Sequence, residues 1–170
     1  MKLKIALLTL ATTLGLLLST QYLYSNGTTG APPVGNTGAP GNSNCGSCHT
    51  GTAVNGGGGG AVISVNSGAT TYSPGGASIP VTVTVSDAAM TRFGFQLVAL
   101  DASNLNTGTL TAGIGTVLNT SGGRTYVSHS IGVNTTLFHT FTFNWTPPAT
   151  NVGNITFYAS GVAANSNSNN

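Results

Sequence analysis

Charge is what this 170-residue sequence has least of: 4% of its residues are charged, against about 25% in an ordinary soluble protein. It contains no glutamate, and both lysines, Lys2 and Lys4, fall at the very start. Beyond residue 25 the charged side chains are Asp87, Arg92, Asp101 and Arg124. A chain so composed has no basic face to neutralise phosphates, which excludes nucleic-acid binding. Two aspartates are too few to pair as general acid and base, and no Ser/His/Asp constellation emerges from the spacing, so nothing points to hydrolysis. Cysteine occurs twice and tryptophan once. Long apolar runs are missing everywhere except the N-terminus, and no amphipathic helical pattern separates the apolar segments of the second half.

The N-terminal run is Ile5 to Leu18, preceded by Lys2 and Lys4 and broken only by small residues. A membrane span needs about 20 apolar residues. Residues 1–25 therefore read as a secretory signal peptide. No cysteine follows closely enough for lipid attachment. The expectation is export to the periplasm, cell surface or extracellular space, with no membrane span once the signal is removed. Thr, Ser, Asn and Gly then have to supply solubility, a surface suited to an extracellular protein.

From residue 26 to residue 60 the chain is rich in Gly, Pro, Asn and Thr, with Ala31-Pro32-Pro33, Ala39-Pro40-Gly41 and the run Gly56 to Gly60. Glycine widens backbone freedom and proline removes donors, so this stretch is expected to lack regular structure. Residues 61–170 change character. Ile79-Pro80-Val81-Thr82-Val83-Thr84-Val85 alternates Val with Thr, which places the valines on one face of a half-buried strand. Comparable runs occupy 61–66, 92–100, 115–118, 124–131, 137–145 and 153–161, divided by turn sequences such as Ser73-Pro74-Gly75-Gly76 and Ser121-Gly122-Gly123. Short strands at this spacing predict an all-β fold, an antiparallel Ig-like β-sandwich. Within 137–145, Leu137, His139, Phe141, Phe143 and Trp145 share a face, which assigns the tryptophan to the core. The Asn-rich tail 163–170 is expected to mark a truncated C-terminus.

In the Gly/Pro-rich segment stands Cys45-Gly46-Ser47-Cys48-His49. Two thiols at this spacing can add across the two vinyl groups of one haem, and the imidazole after the second thiol can reach the iron. The motif thus predicts covalent haem c, attached through Cys45 and Cys48, with His49 as proximal iron ligand. The same cysteine spacing also serves a disulfide or half of a metal site. A four-ligand zinc site would need a second pair, and the other histidines, His129 and His139, are isolated. A redox CxxC pair sits between a strand and a helix, whereas this one lies in a loop. The expected clamp on that loop is the haem itself. For the distal side of the iron the sequence offers His129, His139 and Met90; a sixth protein ligand makes an electron carrier, an empty position admits small ligands.

These residues together resemble bacterial secreted proteins with a reelin-type, or Reeler-like, sandwich, the "choice-of-anchor" group. The matching pieces are Thr37-Gly38-Ala39-Pro40-Gly41 running into the haem motif, Tyr72-Ser73-Pro74-Gly75, Phe93-Gly94-Phe95-Gln96-Leu97, Tyr126-Val127-Ser128-His129, Phe143-Asn144-Trp145-Thr146-Pro147-Pro148 and Phe157-Tyr158-Ala159. The resemblance implies that a haem motif precedes the sandwich and that His129 is more than a packing residue, which makes it the distal candidate. It also implies a further strand and an anchoring or sorting segment beyond the Asn-rich tail. The expected function is a mono-haem c-type cytochrome domain serving an unidentified redox partner by single-electron transfer. The alternative is a cell-surface binding or adhesion module for a glycan or protein, with a structural haem or none.

Overall fold

A computed structural model describes residues 30–49 and 52–165; the expected signal peptide and the last five residues lie outside the described residues. Among the described residues nine strands alternate with turns: β1 (Gly60–Val65), β2 (Ile79–Ser86), β3 (Arg92–Asp101), β4 (Thr109–Thr111), β5 (Thr116–Ser121), β6 (Arg124–His129), β7 (Val133–Asn134), β8 (Phe138–Thr146) and β9 (Ile155–Ala164). They form two antiparallel sheets, one ordered β1-β2-β8-β4 and the other β5-β6-β3, with β7 and β9 both paired to β3. The expected antiparallel sandwich is what folds.

Alternation sets the core. In β2, Val81, Val83 and Val85 are buried while Thr82 and Thr84 face outward. Their partners across the pair, Phe143, Phe141 and His139, continue the inward face. From the other sheet Phe93, Phe95, Leu97, Ala99 and Val127 meet them. Phe95 stacks on Phe141 at 4.5 Å and on Phe143 at 5.8 Å. Trp145 is 1% exposed, edge-on to Tyr72 and Phe157, and its indole N–H donates to Thr107 O at 3.1 Å.

Several boundaries differ from the sequence pattern for physical reasons. Leu137 does not join the β8 face: it takes a left-handed conformation with φ 71° and is 56% exposed. Strand β6 ends at His129 rather than at 131, and Ile131 turns out to solvent and bridges to Gly30. Strands β4 and β7 are three and two residues long, too short to leave a period in the sequence. The last strand runs on to Ala164.

β3 differs from the other strands in being buried on both faces, from Phe93 to Leu100. Its inward face enters the core. Its outward face carries Gly94, Gln96, Val98 and Leu100, and is covered by the Gly/Pro-rich segment, where Val34 and Ala39 pack against Val98, Leu100, Tyr126 and Tyr158.

Gly108 gives a sharp test of the core. It sits at φ +65°, and a Cβ there would run into the Trp145 indole and the Thr146 carbonyl. Gly108→Ala should cost about 2–4 kcal/mol from left-handed strain and overpacking together. Gly122→Ala, at φ +57° in open space, should cost only about 1–2 kcal/mol. Urea midpoints at unchanged m-value measure the difference.

Candidate functional site

The Gly/Pro-rich segment is held by the sandwich, not left for a cofactor to clamp. The reason is a set of polar groups placed on the outward face by strand alternation. Gln96 is fully buried; its Oε1 accepts from Asn36 N at 2.7 Å, and its Nε2 donates to Pro33 O at 3.0 Å and Ser128 Oγ at 3.1 Å. Arg124 donates to Pro40 O at 2.8 Å and to Asn104 O at 2.9 Å, tying the segment to the loop after β3. Asn42 donates to the Tyr126 hydroxyl at 3.3 Å. Periodicity alone did not single out Gln96; its signal is a polar residue at an outward position between Gly94 and Val98 in an otherwise apolar strand.

The cysteine motif forms a short 3₁₀ turn, Cys45–Ser47, capped by Asn44, whose side chain accepts from Gly46 N at 2.9 Å. Backbone bonds from Cys48 N (3.3 Å) and His49 N (3.0 Å) both end on Cys45 O, which draws the two cysteines and the histidine onto one turn. Gly46 has to be small, since a Cβ there would lie 2.9 Å from Asn44 Oδ1 and 3.2 Å from Val54 Cγ2. The turn docks on β9, where Cys45 N donates to Ser160 Oγ at 3.0 Å. Both cysteines are free thiols, Cys45 partly buried and Cys48 exposed. Burial pushes the Cys45 thiol pKa up, opposed by the Ser160 hydroxyl and reinforced by the nearby Cys48. That direction is opposite to the lowered pKa of a reactive redox thiol.

His129 stands where β6 parts from β3. Register pairs Leu97 with Val127 and Gln96 with Ser128, and at the next position the imidazole takes over the strand's role. Phe95 N donates to His129 Nδ1 at 2.9 Å, and Phe95 O lies 3.1 Å from the same nitrogen. A further backbone bond goes to Gly30. The ring lies against Gly94, where a Cβ would be 2.6 Å from His129 Cε1; only glycine leaves that space. Burial lowers the His129 pKa most, its bonds to Phe95 and Gly30 oppose this, and repulsion from Arg92 and His49 lowers it further. The fold therefore brings His129 and His49 within electrostatic reach of one another.

Register gives the outward row beside the cysteine turn. Ser160, Val162 and Ala164 of β9 pair with Gln96, Gly94 and Arg92 of β3, and the bond from Ser160 to Cys45 shows that this row faces outward. Beyond Ser160 the outward row accordingly continues through Val162 and Ala164, opposite Gly94, which lies under the His129 ring. Two free thiols and an imidazole on one turn are the donor set that covalent attachment of a haem would need. His139 is elsewhere, edge-on to Phe141 in the core at 4.5 Å, and Met90 packs against the main core. No group of three or more His, Cys, Asp or Glu fit to hold a metal ion occurs among the described residues.

Two measurements probe this arrangement. Gln96→Leu keeps the volume but strands Asn36 N and Pro33 O; the cost should be about 1–3 kcal/mol, with faster amide exchange confined to residues 33–47. Unchanged protection there would show that Gln96 is not the clamp. The second concerns pH in the C45S/C48S chain, which cannot take up haem covalently. His129 has a lowered pKa when folded and about 6.5 when unfolded, so as pH falls the unfolded chain binds its proton first. Stability is full above about pH 6.5 and declines below it until the folded pKa is passed. The urea midpoint should drop on acidification, and His129→Gln should flatten that decline.

No protein-family model matches the chain, and no curated protein matches it. Among solved structures it is similar to the Reelin-N domain of F-spondin, at 23% identity and TM-score 0.46, over 62% of this chain and 72% of that one. It is also similar to the human F-spondin reeler domain (fragment 1), at 21% identity and TM-score 0.45, over 62% and 74%. A third is the chitin-binding domain of Chi18aC from Streptomyces coelicolor, at 18% identity and TM-score 0.34, over 58% and 89%. These are similarities of β architecture, and no site residue is carried over from them.

Proposed function

We propose that the chain is an exported c-type haem protein that carries single electrons, with the haem attached through Cys45 and Cys48 and packed on the outward face of the β3–β9 sheet. The observation that carries this reading is the capped turn that holds two free thiols and His49 and docks on β9 at Ser160. A haem bound there supplies a reversible one-electron couple at iron. His49 is the proximal ligand by its place directly after Cys48. His129 would be the distal ligand: in the tautomer whose Nδ1–H donates to Phe95 O at 3.1 Å, Nε2 would be the nitrogen that holds iron, the orientation by backbone that ligating histidines commonly have. The raised Cys45 pKa argues against a redox disulfide, which works through a stabilised thiolate. Export goes with the reading, since the thiols have to stay reduced until attached and the N-terminal 25 residues have the pattern of a secretory signal. No helix among the described residues is long and apolar enough to cross a membrane.

A second reading, a surface module that binds a glycan or protein, is favoured by a separate feature. A cleft of about 690 Å³ opens between the Gly/Pro-rich segment and the β5–β6 turn, lined by Asn42, Asn104, Asn106, Arg124 and Tyr126. Its lining reaches Asn42 and Ser43, next to the Asn44 cap of the cysteine turn.

Expression of the full chain with haem-maturation machinery tests the leading reading. A Soret band that survives acid–acetone extraction is expected, and it should vanish in C45S/C48S. His129→Ala should convert a low-spin spectrum to a high-spin one. Extraction of all haem from the unmodified chain would defeat covalent attachment, and an unchanged low-spin spectrum in H129A would remove His129 from the iron.

A further inference from the structure

The chain's four charges beyond residue 25 are disposed unequally. Asp87 Oδ1 accepts from Ala89 N at 2.9 Å, and Asp101 Oδ1 accepts from Ser103 N at 2.8 Å and Leu105 N at 2.9 Å. Each carboxylate thus folds back onto its own loop. Arg124 is spent on the carbonyls of Pro40 and Asn104. Arg92 differs: among the described residues its guanidinium has no hydrogen bond and no ion pair.

Its place in the fold is specific. Arg92 opens β3 on the outward face, two residues before Gly94 and opposite Ala164 and Asn134. Its side chain lies along Gly132, where a Cβ would come within 2.8 Å of Arg92 Nε. The cysteine turn docks at the Ser160 rung of the same outward row, and Ser160 pairs with Gln96. From that rung to Arg92 is four residues, about 13 Å at about 3.3 Å per residue.

We propose that Arg92 is the counter-ion of a haem propionate, standing on the outward row of β3 four residues from the rung where the cysteine turn docks. This rests on the covalent haem reading above. Two propionates brought onto a surface with so few charges need a cation, and guanidinium meets carboxylate with a pair of charge-assisted hydrogen bonds. Among the described residues Arg92 is the arginine whose donors meet no acceptor. It positions and neutralises; it does not ligate iron. The repulsion it exerts on His129 agrees with a guanidinium beside the distal face.

The test uses the full-length holoprotein with R92Q, R92K and, as control, R124Q. Loss of a positive charge beside the haem favours the oxidised form, so R92Q should have a lower reduction potential than the unmodified protein. The propionate bending bands in the resonance Raman spectrum should shift in the same variant. R92K, which keeps the charge and loses the bidentate geometry, should restore most of the potential and only part of the Raman signature. R124Q should move neither. Equal shifts in R92Q and R124Q, or Raman bands unmoved in R92Q, would overturn the assignment. If R92Q does not fold, R92K still decides, because unmoved propionate bands in R92K would also overturn it. Absence of covalent haem in the unmodified protein is a different result and defeats the haem reading itself.

Discussion

The arrangement of the whole outward face depends on the buried amide of Gln96. A glutamine side chain that is fully enclosed costs several kcal/mol unless its donors and acceptor are met. Here each is met, by Asn36, Pro33 and Ser128, so an outward sheet position becomes the anchor for a segment with little regular structure of its own. Without this anchor β3 would expose Val98 and Leu100, and the cysteine turn would have no fixed relation to the sandwich. The Gly/Pro-rich composition then makes sense as a chain that can lie flat on a sheet and offer its backbone to side chains beneath it.

The sandwich was legible because its signal has period two and is repeated. Val81, Val83 and Val85 against Thr82 and Thr84 decide the face of β2 without further help, and Phe141, Phe143 and Trp145 do the same for β8. Pattern reading failed where backbone geometry overrode side-chain order. Leu137 continues the alternation in sequence but sits at a left-handed turn, and Ile131 shares parity with Val127 but lies beyond the point where β6 leaves β3. Two- and three-residue strands have no period to read.

The candidate site was legible in its chemistry and not in its support. Cys45, Cys48 and His49 declare themselves by spacing, and His129 rises above His139 only through resemblance. The structure adds a physical distinction between the two histidines: both lie beside Phe141, and His129 also replaces a missing strand partner at Phe95. Gln96, Ser160 and Arg92 carry no motif. Their importance comes from register between strands far apart in sequence, which a single sequence does not display.

The bond from Cys45 N to Ser160 Oγ joins residues 115 positions apart. A growing or emerging chain presents the two thiols early and the strand that docks them last. Until β9 has paired along β3, the cysteine turn has no seat, and Cys45 remains as accessible as Cys48. Any chemistry that must reach both sulfurs therefore has a natural interval in which to act, between the arrival of residue 49 and the closing of the sheet, and the closing strand afterwards shelters one of them.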